Sequence, residues 1–107
     1  MTRTLIVDDE AQDEAEGQVA YYFERAGSAV ALAFVAELEA IYRGLVEARL
    51  VGVNHPRARF RLPITRVFMD RFPFAVVFFV EGDVVRVIAV EALRRRPGYW
   101  RARLRQR

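Results

Sequence analysis

The chain has 107 residues, 53% of them hydrophobic and 29% charged, which suits one compact core and excludes a disordered chain. It contains no cysteine and one histidine, so disulfides, thiolate metal sites and the usual zinc spacings are excluded, no metal or cofactor is expected, and an intracellular setting is. Net charge is +3, split as −6 over residues 1–53 and +9 over residues 54–107; all seventeen basic residues are arginine, planar forks for phosphate or carboxylate that exclude amine-base chemistry.

Leu5, Ile6 and Val7 are the only consecutive apolar residues before a run of acids, and the longest apolar run, FAVVFFV at 74–80, is far short of the ~20 residues of a membrane helix. Neither a standard secretion signal nor a membrane span is expected. TLIVD reads as a short strand. The acids of DDEAQDEAE favour the positive end of a helix dipole, and Ala11, Ala15, Val19, Tyr22 and Ala26 recur at helical spacing, predicting a helix over about 9–26 whose acids form a solvated start. Gly27 and Ser28 interrupt the pattern, with Ser28 the expected cap of a second helix reaching about residue 48. Val30, Phe34, Leu38, Ile41 and Leu45 share one face of it; Ala31, Val35, Tyr42 and Val46 widen that stripe until it is either deeply buried or covered by a partner, and Leu32 falls nearly opposite.

Residues 50–63, with Gly52, Asn54 and two prolines, read as a connection running into an edge strand. His55 lies in it and, with no orienting partner nearby in sequence, reads as a loop residue. Three β segments follow at 64–70, 74–81 and 84–92, the last two joined by a Glu-Gly-Asp hairpin turn. The middle one, apolar throughout 74–80, is expected to be central and covered on both faces or masked at one. The whole chain, 1–107, thus reads as one α+β domain of order βααβββ, a helical hairpin on an antiparallel sheet followed by a tail, RRRPGYWRARLRQR, in which every second position on average is arginine.

The segment RFPFAVVFFVEGDVVRVIAVEALRRRPGYW, residues 71–100, resembles the RelE/ParE family of toxins of bacterial type II toxin-antitoxin systems, and VAYYFERAGSAVALAFVAELEAI, residues 19–41, is similar to that family's helical hairpin. The resemblance covers nearly the whole chain, and the family's fold order, βααβββ, is the one read from the residues. It implies a growth-inhibiting protein of the bacterial cytoplasm, held in a hetero-oligomer by a cognate antitoxin that lays an extended or helical segment over it.

Two activities divide that family: ParE-like members poison DNA gyrase, whereas RelE-like members cut messenger RNA on the ribosome. Cutting RNA through its 2′-hydroxyl needs a base, donors for the developing phosphate charge and usually an acid, and arginine supplies only the donors. Relatives often carry a histidine where this chain has Ala92, and neighbouring Glu91 should face the other side of its strand. The resemblance therefore favours target binding of the ParE kind, with an mRNA endoribonuclease and a non-toxic interaction module as alternatives. For the nuclease, Arg66, Arg71, Arg94 and Arg96 are the candidate phosphate ligands and Tyr99 the candidate proton donor. For target or antitoxin binding the candidates are Arg94, Arg95, Arg96, Tyr99, Trp100 and Arg101. Tyr99 and Trp100 either present stacking surfaces or pack the tail onto the sheet through a turn at Pro97 and Gly98.

Overall fold

The computed structural model describes residues 2–55 and 59–106. Five strands form one sheet in the order β1-β5-β4-β3-β2: β1 (Thr4–Val7), β2 (Val53–Asn54), β3 (Thr65–Phe68), β4 (Phe74–Glu81) and β5 (Val84–Ala92). Between β1 and β2 run α1 (Asp9–Ala26) and α2 (Ser28–Val46), and a 3-10 helix, Tyr99–Gln106, ends the described chain. The α+β class and the βααβββ order hold, with the two-residue β2 added inside the predicted connection, where residues 56–58 lie outside the described residues. No described helix is long and apolar enough to cross a membrane.

The antiparallel sheet needs one correction. β2 to β5 alternate in direction, but β1 joins the far edge parallel to β5, with Thr4 opposite Val84 and Val7 opposite Val87. A parallel pair needs a long crossover, here everything between the two strands. Only packing can set it.

The cap assignment also changes. Gly27, at φ 94°, alone separates the helices: its N–H donates to Phe23 O at 3.2 Å, closing α1, while it serves as the N-cap of α2. Ser28 is already helical, and no side chain caps this end. A one-residue link forces positive φ on that residue, which glycine adopts without steric cost. At the other end α2 stops at Val46, short of the expected residue 48, because Ala48 takes φ 57°.

The sheet buries both faces. On one, Phe34, Leu38, Ile41 and Leu45 of α2 and Ala11 and Ala15 of α1 pack on Phe74, Val76, Phe78, Val85, Val87 and Val90. Predicted Val30 is only half-buried, and Leu32 is 66% exposed. On the other face Trp100 and Leu104 of the 3-10 helix, with Ile64, cover Val77, Phe79, Ile88 and Ala89. β4 is therefore central and buried from Phe74 to Phe79, as a strand apolar at every position requires.

An irregularity in β5 decides which residues see which face. Val77 opposes Ala89, yet Phe78 opposes Val87, leaving Ile88 unopposed. Such a bulge shifts the alternation by one residue. Before it Val85 and Val87 face the helices; after it Val90 and Ala92 do. Glu91 consequently points beneath the tail.

Candidate anion-binding site

Hydrogen bonds at two carboxylates fasten the tail. Glu14, on α1, accepts from the Val90 N–H at 3.0 Å, from the Tyr99 hydroxyl, and from both guanidinium nitrogens of Arg103 at 3.1 Å. Arg95 approaches it at 3.6 Å and lies 3.5 Å above the Tyr99 ring, a cation–π arrangement. β1 ends at Val7, so the outer edge of β5 beyond Val87 has no strand beside it. Glu14 satisfies its Val90 N–H, and Arg103 donates to its Ile88 carbonyl at 2.9 Å. Burial works against the Arg103 charge, but Glu14 more than offsets it and holds the guanidinium more firmly protonated than usual.

Glu91, 2% exposed, works on the inner side. Its Oε2 accepts from the Trp100 indole N–H at 3.0 Å and from the Gly98 N–H at 3.4 Å. His55 Nε2 stands 3.5 Å from the same oxygen, and Arg66 lies 3.6 Å from Oε1. The His55 ring meets the Trp100 ring edge-on at 4.8 Å. His55 lies in the connection after β2, as expected, but its side chain is buried, and its partner comes from a strand far along the chain. Burial lowers its pKa, Glu91 opposes that, and the charges of Arg66 and Arg101 reinforce it.

Held on both sides, the tail forms a cleft of about 920 Å³ with the chain before β3, lined by Arg59, Phe60, Arg96, Gly98, Tyr99, Arg101, Ala102, Leu104 and Arg105. Among the described lining residues are four guanidiniums and two aromatic rings, and neither a carboxylate nor an imidazole. Arg101 is braced by donating from Nε to the Gly98 carbonyl at 3.0 Å, and Gly98, at φ 78°, leaves the room, since a Cβ there would lie 3.1 Å from that nitrogen. Forks and ring faces arranged this way bind phosphate or carboxylate oxygens and flat groups.

The predicted residues divide accordingly. Arg96, Tyr99 and Arg101 line the cleft. Arg94 and Arg95 are exposed beside it, Arg95 being turned to Tyr99 and Glu14. Arg71 is exposed at the β3–β4 turn, where Glu37 accepts from its N–H at 3.3 Å. Arg66 is committed to Glu91 and to the Phe68 ring. Trp100, fully enclosed, packs the tail on the sheet and presents no face to a partner. The Tyr99 phenol already donates to Glu14, and burial, with that bond, raises its pKa far above the usual tyrosine range, which makes it a poor acid. Sequence reasoning missed Arg59, Phe60 and Arg105 in the lining, and Glu14, His55 and Glu91 behind it. The Arg-Phe-Arg at 59–61 was the available signal for the first group.

No protein-family model matches this sequence. No curated protein matches it either. Among solved structures, a chain of the "Chromosomal ParDE TA system from P. aeruginosa" superimposes with a TM-score of 0.72 over 86% of this chain and 97% of that one, at 16% identity. At that identity the likeness is one of fold, and the resemblance read from residues 19–41 and 71–100 is matched by the architecture: this chain carries the fold of a ParE/RelE-like toxin.

Proposed function

We propose that the chain is the toxin of a type II toxin-antitoxin pair in the bacterial cytoplasm and inhibits growth by binding an essential target, DNA gyrase in the ParE manner, through the arginine cleft. The observation that carries this reading is the cleft's composition: its described lining brings together four guanidiniums and two rings able to hold an acidic or phosphate-bearing surface, and an arginine fork does not supply the base that cutting RNA needs. The tail supports it too, because Trp100 and Leu104 cover the sheet face opposite the helices.

Neutralisation is assigned to the opposite side. Between α1 and α2 a groove of about 890 Å³ has an apolar floor that includes Ala15, Val19, Phe23, Val35, Leu38 and Tyr42, with Glu16, Glu24 and Glu39 among its polar residues. It suits an amphipathic antitoxin helix with basic flanks, while an acidic stretch of the same antitoxin covers the cleft.

The test is induced expression in a bacterial host, with growth, plasmid supercoiling and RNA ends followed in the same cultures. Arrest with altered supercoiling and intact messages, relieved by Arg96→Ala with Arg101→Ala, is the expected result. New cuts inside translated messages would replace the binding reading with the RelE-type nuclease. Unimpaired growth with folded protein present would leave a non-toxic interaction module.

A further inference from the structure

The inner clasp of the tail contains a feature that the outer one lacks: an imidazole, the side chain whose charge changes nearest neutral pH. We propose that His55 and Glu91 form a pH-sensitive latch that holds Trp100 on the sheet at neutral pH, and that protonation of His55 lifts Trp100 and Leu104 off the sheet while the outer clasp stays attached and the helix-covered core stays folded. This inference does not depend on what the cleft binds.

Geometry makes the tail separable. The core beneath the helices, from Ala11 and Phe34 to Val90, contains no residue of the tail, whereas Trp100 and Leu104 belong wholly to the second cluster. Lifting them uncovers Val77, Phe79, Ile88 and Ala89 and leaves the first core as it was. Sub-global openings of this kind follow the boundaries between such clusters.

Charge placement sets the trigger. Among the described residues, the groups facing His55 include Glu91 on β5, Arg66 on β3, and Arg101 and the Trp100 ring on the 3-10 helix, with Arg59 and Arg61 lining the same pocket. Its side chain is fully enclosed, so a proton there brings a charge into a space that the Arg66 and Arg101 guanidiniums and the Glu91 carboxylate share. Burial is the largest effect and, with Arg66 and Arg101, outweighs Glu91, lowering the His55 pKa below 6.5. The sign follows: the latched state keeps the imidazole neutral, and the released state solvates it and takes up a proton at the ordinary value. As pH falls below about 6.5 the opening constant rises up to about tenfold per pH unit until the latched form also titrates. Glu14 still tethers Tyr99 and Arg103 on the outside, so opening begins at Trp100. It separates Arg101 and Arg105 from Arg59 and Phe60 and takes the cleft apart.

Trp100 is the chain's only tryptophan, which makes it the reporter. Its emission and its quenching by acrylamide would be measured on the whole chain from pH 8 to pH 5, with far-UV circular dichroism alongside. The expected result is a red shift and a rise in quenching as pH falls below about 6.5 with the helical signal unchanged, and a flat profile for His55→Gln. A shielded Trp100 throughout, exposure only together with loss of helix, or the same profile in His55→Gln would overturn the latch. Should His55→Gln fail to fold, Glu91→Ala decides: at neutral pH its tail should be cut by trypsin at Arg101 and Arg103 at least tenfold faster than in the unsubstituted chain, and equal rates would refute the proposal.

Discussion

Glu14→Ala tests the outer clasp. The substitution removes at once the acceptor for the Val90 N–H, the Tyr99 hydroxyl and the two Arg103 nitrogens at 3.1 Å. A hydrogen bond to a charged group is worth about 1.5–3 kcal/mol net, and breaking a fully buried ion pair costs about 3–5 kcal/mol. The side chains of Glu14 and Arg103 retain 17% and 18% exposure, so water compensates part of the loss, and Arg95, half-exposed, adds little. The expected cost is about 2–4 kcal/mol, or a fall of roughly 8–16 °C in Tm for a chain of this length. Urea unfolding followed by far-UV circular dichroism measures it. Glu81→Ala is the internal comparison: it breaks a pair with Arg61 that is shorter, 2.6 Å, but half-exposed on both sides, and its urea midpoint should stay where it was. A loss below about 1 kcal/mol for Glu14→Ala, or equal losses for the two variants, would refute the claim that partial burial makes Glu14 structural.

Other expectations follow from packing and charge. Phe34→Ala empties a site ringed by Tyr22, Phe72 and Phe74 at centroid distances of 5.6, 5.3 and 5.5 Å and should cost about 3–5 kcal/mol in urea unfolding. Gly52→Ala places a Cβ 2.6 Å from the Arg66 carbonyl oxygen and 2.5 Å from Thr65 Cγ2; the neighbour is backbone, so a loss of about 1–3 kcal/mol is expected by the same assay. Burial raises the Tyr42 phenol from 10.0 to about 12. The unfolded chain loses this proton first, so the contribution of Tyr42 to stability is complete below pH 10 and disappears as pH rises through about 12; Tyr42→Phe should flatten that part of the alkaline profile. Arg96→Ala and Arg105→Ala should each weaken binding of heparin, a polyanion probe for the cleft, and lower the slope of log K against log salt by about 1. An unchanged slope would remove those arginines from the binding surface.

Local pattern carried much of the architecture. The strands at 74–81 and 84–92 and the helix at 9–26 lie where period and composition put them, because a run of Val, Ile and Phe, or apolar residues at steps of three and four, answers to backbone geometry within one segment. The same holds for the α2 face from Phe34 to Leu45, and for β4, whose lack of polar residues asked for a central place in the sheet. Gly27 was visible as a break but not as the cap, since that role came from how sharply two helices had to turn.

The clasps were not legible. Glu14 sat in an acidic run that reads as a solvated helix start, and only the docking of α1 beside the open edge of β5 brings it to Val90, Tyr99 and Arg103. His55 and Glu91 are 36 residues apart in sequence. They meet although β3 and β4 separate β2 from β5 in the sheet, and the bulge at Ile88 turns Glu91 toward the tail. Sequence by itself determined which segments are helix and strand, that the second half is basic, and that Trp100 needed either a partner or a core. Tertiary structure alone decided the rest: the parallel seat of β1, the burial of Trp100, and the gathering of Arg59, Arg96, Arg101 and Arg105 into one cleft. Pairing and charge contacts between distant residues depend on register and on chain reversal, and neither leaves a period in the sequence.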